Sequence, residues 1–245
     1  MSELSQSSSK PAKKPKSIHE GHRSRMKNRF LEQGLDSFET HEILEMLLYY
    51  AIPQGDTNPL AHHLLDTFGS ISKVLDAPVE ALEKVKGVGP SSAVLLKMVP
   101  QLARVYLEDL KIPKPLLDAE DMAHYIIPKF VGRMNEVVVL LLLNSKAEVL
   151  FCDVINEGSV VEVSIYVREI VHMAMRHDAT SAVIAHNHPS GNTFPSRGDM
   201  KATADVYDAL QPVGVALLDH FIIADGKNYL SMQSSGLLEQ ALHNY

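Results

Sequence analysis

Hydrophobic residues recur at helical spacing through the first part of the chain: Ile43, Leu44, Leu47 and Leu48, then Leu60, Leu64, Leu65 and Phe68, each set marking one face of a short helix. Breaks fall at Pro53-Gln-Gly55, Asn58-Pro59, Gly69 and Asp76-Ala-Pro78. The pattern predicts a compact set of short helices from about Ser17 to Leu110. Lys111-Ile-Pro113-Lys-Pro115 reads as a stiff proline linker, and the period changes after it. Glu136 to Leu143 is apolar on both faces, as expected of a strand covered on both sides, and Ala147 to Ile155 predicts a second strand beyond the turn Asn144-Ser-Lys146. Ile170, Val171 and Ala174 mark a helix ending near Asp178, Ser181 to Ala185 a short buried strand, and Ser196 to Leu210 a further helix. Phe221 to Ala224 and Asn228 to Met232 flank Asp225-Gly226, a hairpin signal. The pattern therefore predicts a mixed α/β domain over 118–245 behind an all-α domain over 17–112. Residues 1–16 have almost nothing apolar to bury and predict a disordered basic tail.

Composition narrows the class. The 245 residues are 45% hydrophobic and 22% charged, ordinary globular usage. The single cysteine, Cys152, cannot form an internal disulfide, and it reads as a small core residue of a protein from a reducing, cytoplasmic setting. The longest aliphatic run, Val137 to Leu143, is far short of the roughly 20 residues a membrane span requires, so no membrane role is expected. The net charge of -7 hides a split: residues 1–29 hold eight Lys or Arg against Glu3 and Glu20, while all that follows is acidic. A basic arm on an acidic body suggests a polyanion contact, although a solvated basic tail has the same composition.

Candidate chemistry concentrates in Ala185-His-Asn-His-Pro-Ser-Gly-Asn-Thr-Phe-Pro-Ser-Arg-Gly-Asp199. Residues i and i+2 of an extended chain point to the same side, so His186 and His188 can offer two imidazoles to one metal ion. Asp199, at the start of the next helix, supplies a carboxylate. Two His and one carboxylate with a fourth position open to water make a catalytic zinc set rather than a structural one. The same letters Ser196-Arg-Gly-Asp199 also fit a helix capping box, which would give Asp199 a purely local role. Zinc nucleobase deamination is excluded, because it needs His-x-Glu and a later Pro-Cys-x-x-Cys, whereas Asn187 stands in the middle and the chain has one cysteine.

His186-x-His188-x(7)-Ser196-x(2)-Asp199 resembles the JAMM motif of MPN+ zinc peptidases, and HNHPSG together with Leu218-Asp-His-Phe-Ile-Ile223 resembles the bacterial RadC proteins. The likeness runs from Gly21-His-Arg to the C-terminus. It implies a mixed-sheet MPN/JAB domain of cytidine deaminase-like fold behind a small all-α helix-hairpin-helix domain. It further implies zinc on His186, His188 and Asp199, Ser196 steadying an oxyanion, and an upstream acid that moves the proton of a zinc-activated water to the leaving amine. Glu136 stands where the family places that acid; Glu169, in Val-Arg-Glu-Ile, is its rival. Asp219 and His220 fit either a second layer behind the ligands or a satisfied core pair, and neither is assigned to catalysis.

Val85-Lys-Gly-Val-Gly-Pro90 resembles the hairpin of a helix-hairpin-helix element, which implies contact with a DNA backbone through Lys84, Lys86, Gly87 and Gly89, helped by residues 17–29. Residues 30–117 hold seven basic and twelve acidic side chains, so attraction to phosphate rests on the N-terminal arm. Tyr49 and Tyr50 read as core rather than as a stacking platform. Two functions follow from these expectations. One is a zinc metallohydrolase cleaving a peptide or isopeptide bond in a protein substrate; the alternative is a DNA repair or recombination accessory whose metal domain is not catalytic.

Overall fold

The computed structural model describes residues 18–110, 114–158, 163–224 and 228–245. The predicted tail at 1–16, the first residues of the proline linker and the Asp225-Gly226 turn lie outside them. The chain packs as two compact units, Met1–Leu96 and Lys97–Tyr245.

The first unit is helical, as its spacing predicts: α1 (Ile18–Gln33), α2 (Thr40–Leu48), α3 (Asn58–Phe68), α4 (Ile71–Asp76), α5 (Val79–Leu82) and the beginning of α6 (Pro90–Asp109). Leu44, Leu48, Leu64, Val74, Leu82 and Leu96 close its core with no exposure. A buried carboxylate, Glu45, is compensated on all sides, since it accepts from the Tyr49 hydroxyl (2.6 Å) and the Asn58 amide (2.8 Å) and meets His22 Nε2 (2.9 Å). Arg23 donates to the carbonyls of Ile52, Pro53 and Gly55 and lies over the Tyr49 ring, which fastens α1 to the loop after α2. Part of the basic segment is thereby committed within the fold, because Arg29 likewise pairs with Glu42. The expectation that Tyr50 is core is corrected. α2 ends at Leu48, so Tyr50 no longer follows the buried face; it is 68% exposed beside Lys27, and only Tyr49 is buried.

The second unit is mixed α/β. Its strands are β1 (Val137–Leu143), β2 (Val149–Glu157), β3 (Ser181–Asn187), β4 (Ala216–Ala224) and β5 (Asn228–Ser231), in sheet order β2-β1-β3-β4-β5. Among the described residues only the β3/β4 pair is parallel, joined through α9 (Arg197–Leu210). One sheet face carries α8 (Val163–Arg176), α9 and α10 (Leu237–Asn244) over Leu140, Leu142, Ile184 and Ile222. The other carries α7 (Ala119–Ile126) and the 3-10 turn Ile127–Phe130 over Val139, Leu141, Val183 and Phe221. This double cover explains why β1 is buried at every residue and reads as an unbroken aliphatic run. Cys152 is half-buried in β2 against the α7 side.

Candidate metal centre

β3 alternates strictly. Val183, Ala185 and Asn187 point toward α7, whereas Ile184 and His186 point toward α9, so His186 arrives beneath the start of that helix, 4% exposed. His188 follows β3 directly, its backbone N-H fastened to the Ile223 carbonyl. The chain then reverses through Pro189-Ser-Gly191. Gly191, at φ 79, takes the left-handed conformation that closes the turn onto the His188 carbonyl. This reversal brings the Asn192 carbonyl to 2.7 Å from His188 Nδ1.

Asp199 forms the helix cap its sequence context suggests, and its carboxylate also reaches the two histidines. In the capping box of α9, Ser196 Oγ accepts the Asp199 N-H, and one Asp199 carboxylate oxygen accepts the Ser196 N-H at 2.6 Å. The cap holds the carboxylate over the two imidazoles: Oδ1 lies 3.4 Å from His186 Nε2 and Oδ2 lies 3.4 Å from His188 Nε2. Glu136, immediately before β1, completes the group. One donor atom from each of Glu136, His186, His188 and Asp199 falls within a mutual 4.8 Å. Ser196 stands at the α9 N-cap with its hydroxyl proton unspent by the cap. Glu169 is exposed on α8 and lies outside the cluster.

The hydrogen bonds show that these donors suit a cation. The Asn192 carbonyl can only accept, so His188 carries a proton on Nδ1 and turns Nε2 toward the cluster. His186 Nε2 lies 2.9 Å away. Two neutral rings with lone pairs facing at that distance repel unless a positive charge, a proton or a metal ion, lies between them. The separations of 2.9, 3.4 and 3.4 Å put the three side chains' donor atoms close enough to share one small cation. A cavity of about 20 Å³ between Glu136, His186, Asp199 and His220 exceeds the ~10–15 Å³ that one water needs.

Burial dominates the electrostatics. It drives His186 down to about 4, with the His188 charge adding to the fall and Asp199 opposing it. Burial also raises the Glu136 carboxyl; Asp199 raises it further and His188 opposes.

Two residues beyond the predicted set support the cluster. Asn187, between the histidines, faces the opposite way: its Oδ1 accepts the Val137 N-H at 2.8 Å and its Nδ2 donates to the Asn135 carbonyl at 3.0 Å. It therefore clamps the backbone on both sides of Glu136. His220 Nε2 lies 2.8 Å from His186 Nδ1, and Thr203 Oγ1 lies 2.7 Å from His220 Nδ1. The adjacent Asp219 turns elsewhere, accepting from the Ser231 hydroxyl and from the Gln233 and His220 amides. Asp219 and His220 are thus not a pair: the first ties down the turn after β5 and the second backs a site histidine.

A mixed sheet covered on both faces, with His-x-His at a strand end under an acidic helix N-terminus, defines a JAB-type domain. Residues 116–237 match the RadC-like JAB domain family, and residues 16–94 match the UPF0758 N-terminal family. A UPF0758 protein of Fusobacterium nucleatum subsp. nucleatum is 33% identical over 228 residues, covering 90% of this chain and 98% of the relative. A UPF0758 protein of Rhodobacter capsulatus is 34% identical over 214 residues, covering 87% of this chain and all of the relative. The chain belongs to the UPF0758 family and carries a RadC-like JAB domain. No helix among the described residues is long and apolar enough to cross a membrane.

Proposed function

We propose that the JAB-type unit is a zinc-dependent hydrolase that cleaves a peptide or isopeptide amide. The convergence of Glu136, His186, His188 and Asp199, beside a small cavity that Glu136, His186 and Asp199 line, carries the reading. His186, His188 and Asp199 would hold the ion, and Glu136 stands free of the caps that occupy Asp199. A bound zinc supplies Lewis acidity, polarising a carbonyl and acidifying a water. Glu136 takes a proton from the attacking water onto a carboxylate oxygen and delivers it to the leaving nitrogen. Its raised affinity for protons suits it to accepting that proton and holding it until the transfer. The Ser196 hydroxyl, not consumed as a donor by the cap, donates to the developing oxyanion. Cytoplasmic residence belongs to the same proposal and rests on a single cysteine that needs no oxidising compartment.

A peptide library incubated with the zinc-loaded protein and read by mass spectrometry tests this. Cleavage products are expected with the wild type and not with Glu136→Gln at equal metal content. Equal cleavage by both proteins would remove Glu136 from the chemistry.

Contact with a DNA backbone is a second reading, supported by the hairpin before α6. Gly87 is left-handed at φ 103, and Lys84 and Lys86 are exposed on either side of the buried Val85. Fluorescence anisotropy with gapped DNA at low salt is expected to weaken in a Lys84→Ala/Lys86→Ala variant. Unchanged affinity would refute the hairpin as the contact.

A further inference from the structure

Three hydrogen bonds run from the main chain of α9 into the donor cluster, and chemistry fixes the direction of each. The Asp199 carbonyl can only accept, and it lies 2.6 Å from Thr203 Oγ1. Without a proton between them, two oxygens so close would repel, so the single Thr203 hydroxyl proton is spent there. Thr203 Oγ1 can then only accept from His220 Nδ1, 2.7 Å away, which places the His220 proton on Nδ1. His220 is 4% exposed and its ring nitrogens meet Thr203 Oγ1 and His186 Nδ1, not a carboxylate that could offset a buried charge, so its Nε2 is left as a lone pair. That lone pair lies 2.8 Å from His186 Nδ1, which must therefore carry the proton.

We propose that Thr203 and His220 are positioning residues for the metal centre, holding His186 as its Nδ1-H tautomer so that the Nε2 lone pair faces His188 and Asp199. The chain forms a circuit, beginning at the Asp199 carbonyl and ending at the imidazole 3.4 Å from the Asp199 carboxylate. The alternative tautomer would put a hydrogen on Nε2 and block coordination. A helix-borne threonine thereby sets the metal-binding competence of a histidine it does not touch.

The consequence for metal affinity rests on the zinc reading above; the tautomer does not, and the two are measured separately. Long-range proton-nitrogen NMR on the metal-free, ¹⁵N-labelled full-length protein is expected to show His186 with protonated Nδ1 and bare Nε2. In Thr203→Val, His220 loses the acceptor that orients it, so the His186 signal is expected to shift toward the Nε2-H form. Zinc affinity by chelator competition is then expected to fall about 10–100-fold. Thr203→Ser, which keeps the hydroxyl, is expected to restore both. An Nε2-H tautomer in the wild type would overturn the proposal without any variant, as would a Thr203→Val protein with wild-type tautomer and affinity. A wild type with the expected tautomer but no affinity for zinc would refute the metal reading and leave the relay standing.

Discussion

Asn187→Ala isolates a contact on which the placement of Glu136 depends. The Asn187 side chain is 8% exposed and makes two hydrogen bonds, one to the N-H of Val137, itself 1% exposed, and one to the carbonyl of Asn135. Each of the two lost bonds costs about 1 kcal/mol, and a buried donor left without its acceptor costs about 1–3 kcal/mol more, so the expected loss is about 3–5 kcal/mol. With a urea dependence of about 2 kcal/mol per molar, the unfolding midpoint should drop by about 1.5–2.5 M. The assay is urea denaturation of the metal-free protein, followed by circular dichroism. Asn135→Ala is the control: only the backbone carbonyl of Asn135 meets the clamp, so its change should stay within about 0.5 kcal/mol. A loss for Asn187→Ala as small as that of the control would refute the clamp.

Acidification of the metal-free protein should be destabilising through His186. Its folded value of about 4 lies below the ordinary 6.5, so the unfolded chain binds the proton first. The stability concerned is whole above about pH 6.5 and is lost as pH falls toward 4. At about 1.36 kcal/mol per pH unit it amounts to about 3 kcal/mol. His220, also depressed by burial, acts in the same direction, while the raised carboxyls of Glu136 and Asp219 act against it. Urea midpoints between pH 7.5 and 4.5 should therefore fall less in His186→Gln than in the wild type; parallel curves would contradict the assignment. In the helical unit, Arg23→Met should cost about 1–3 kcal/mol, because three carbonyls lose a charged donor, and Arg23→Lys should not rescue it since an ammonium cannot fork. Thermal unfolding compares the three proteins. Gly87→Ala should cost about 1–3 kcal/mol from φ 103 alone, with its Cβ also reaching 3.4 Å from Leu60; an unchanged melting temperature would show that the hairpin relaxes freely.

The donor set was legible in the sequence because its logic is local. A period of two puts His186 and His188 together, and the helix start puts Asp199 eleven residues beyond His188. The supporting contacts depend on distant pairings that local spacing does not encode. Asn187 meets residues 50 and 52 positions away, across the β1/β3 pair. His220 is harder still. Leu217 points to the α9 side, and regular alternation would turn His220, three residues on, to the α7 side. A register shift in the β3/β4 pair, where Ala182 opposes Leu217 but Val183 opposes Asp219, inserts one residue and returns His220 to the face of His186. Tyr50 is exposed for a related reason: α2 ends at Leu48, so the helical period does not carry on to it.

Metal stoichiometry in the purified full-length protein tests the central claim most directly. Elemental analysis is expected to find one zinc per chain in the wild type, retention in Glu136→Gln, and loss in His186→Ala and Asp199→Ala when circular dichroism shows them folded. A folded wild type without stoichiometric metal after zinc exposure, or variants that keep it, would contradict a metal centre built on His186, His188 and Asp199.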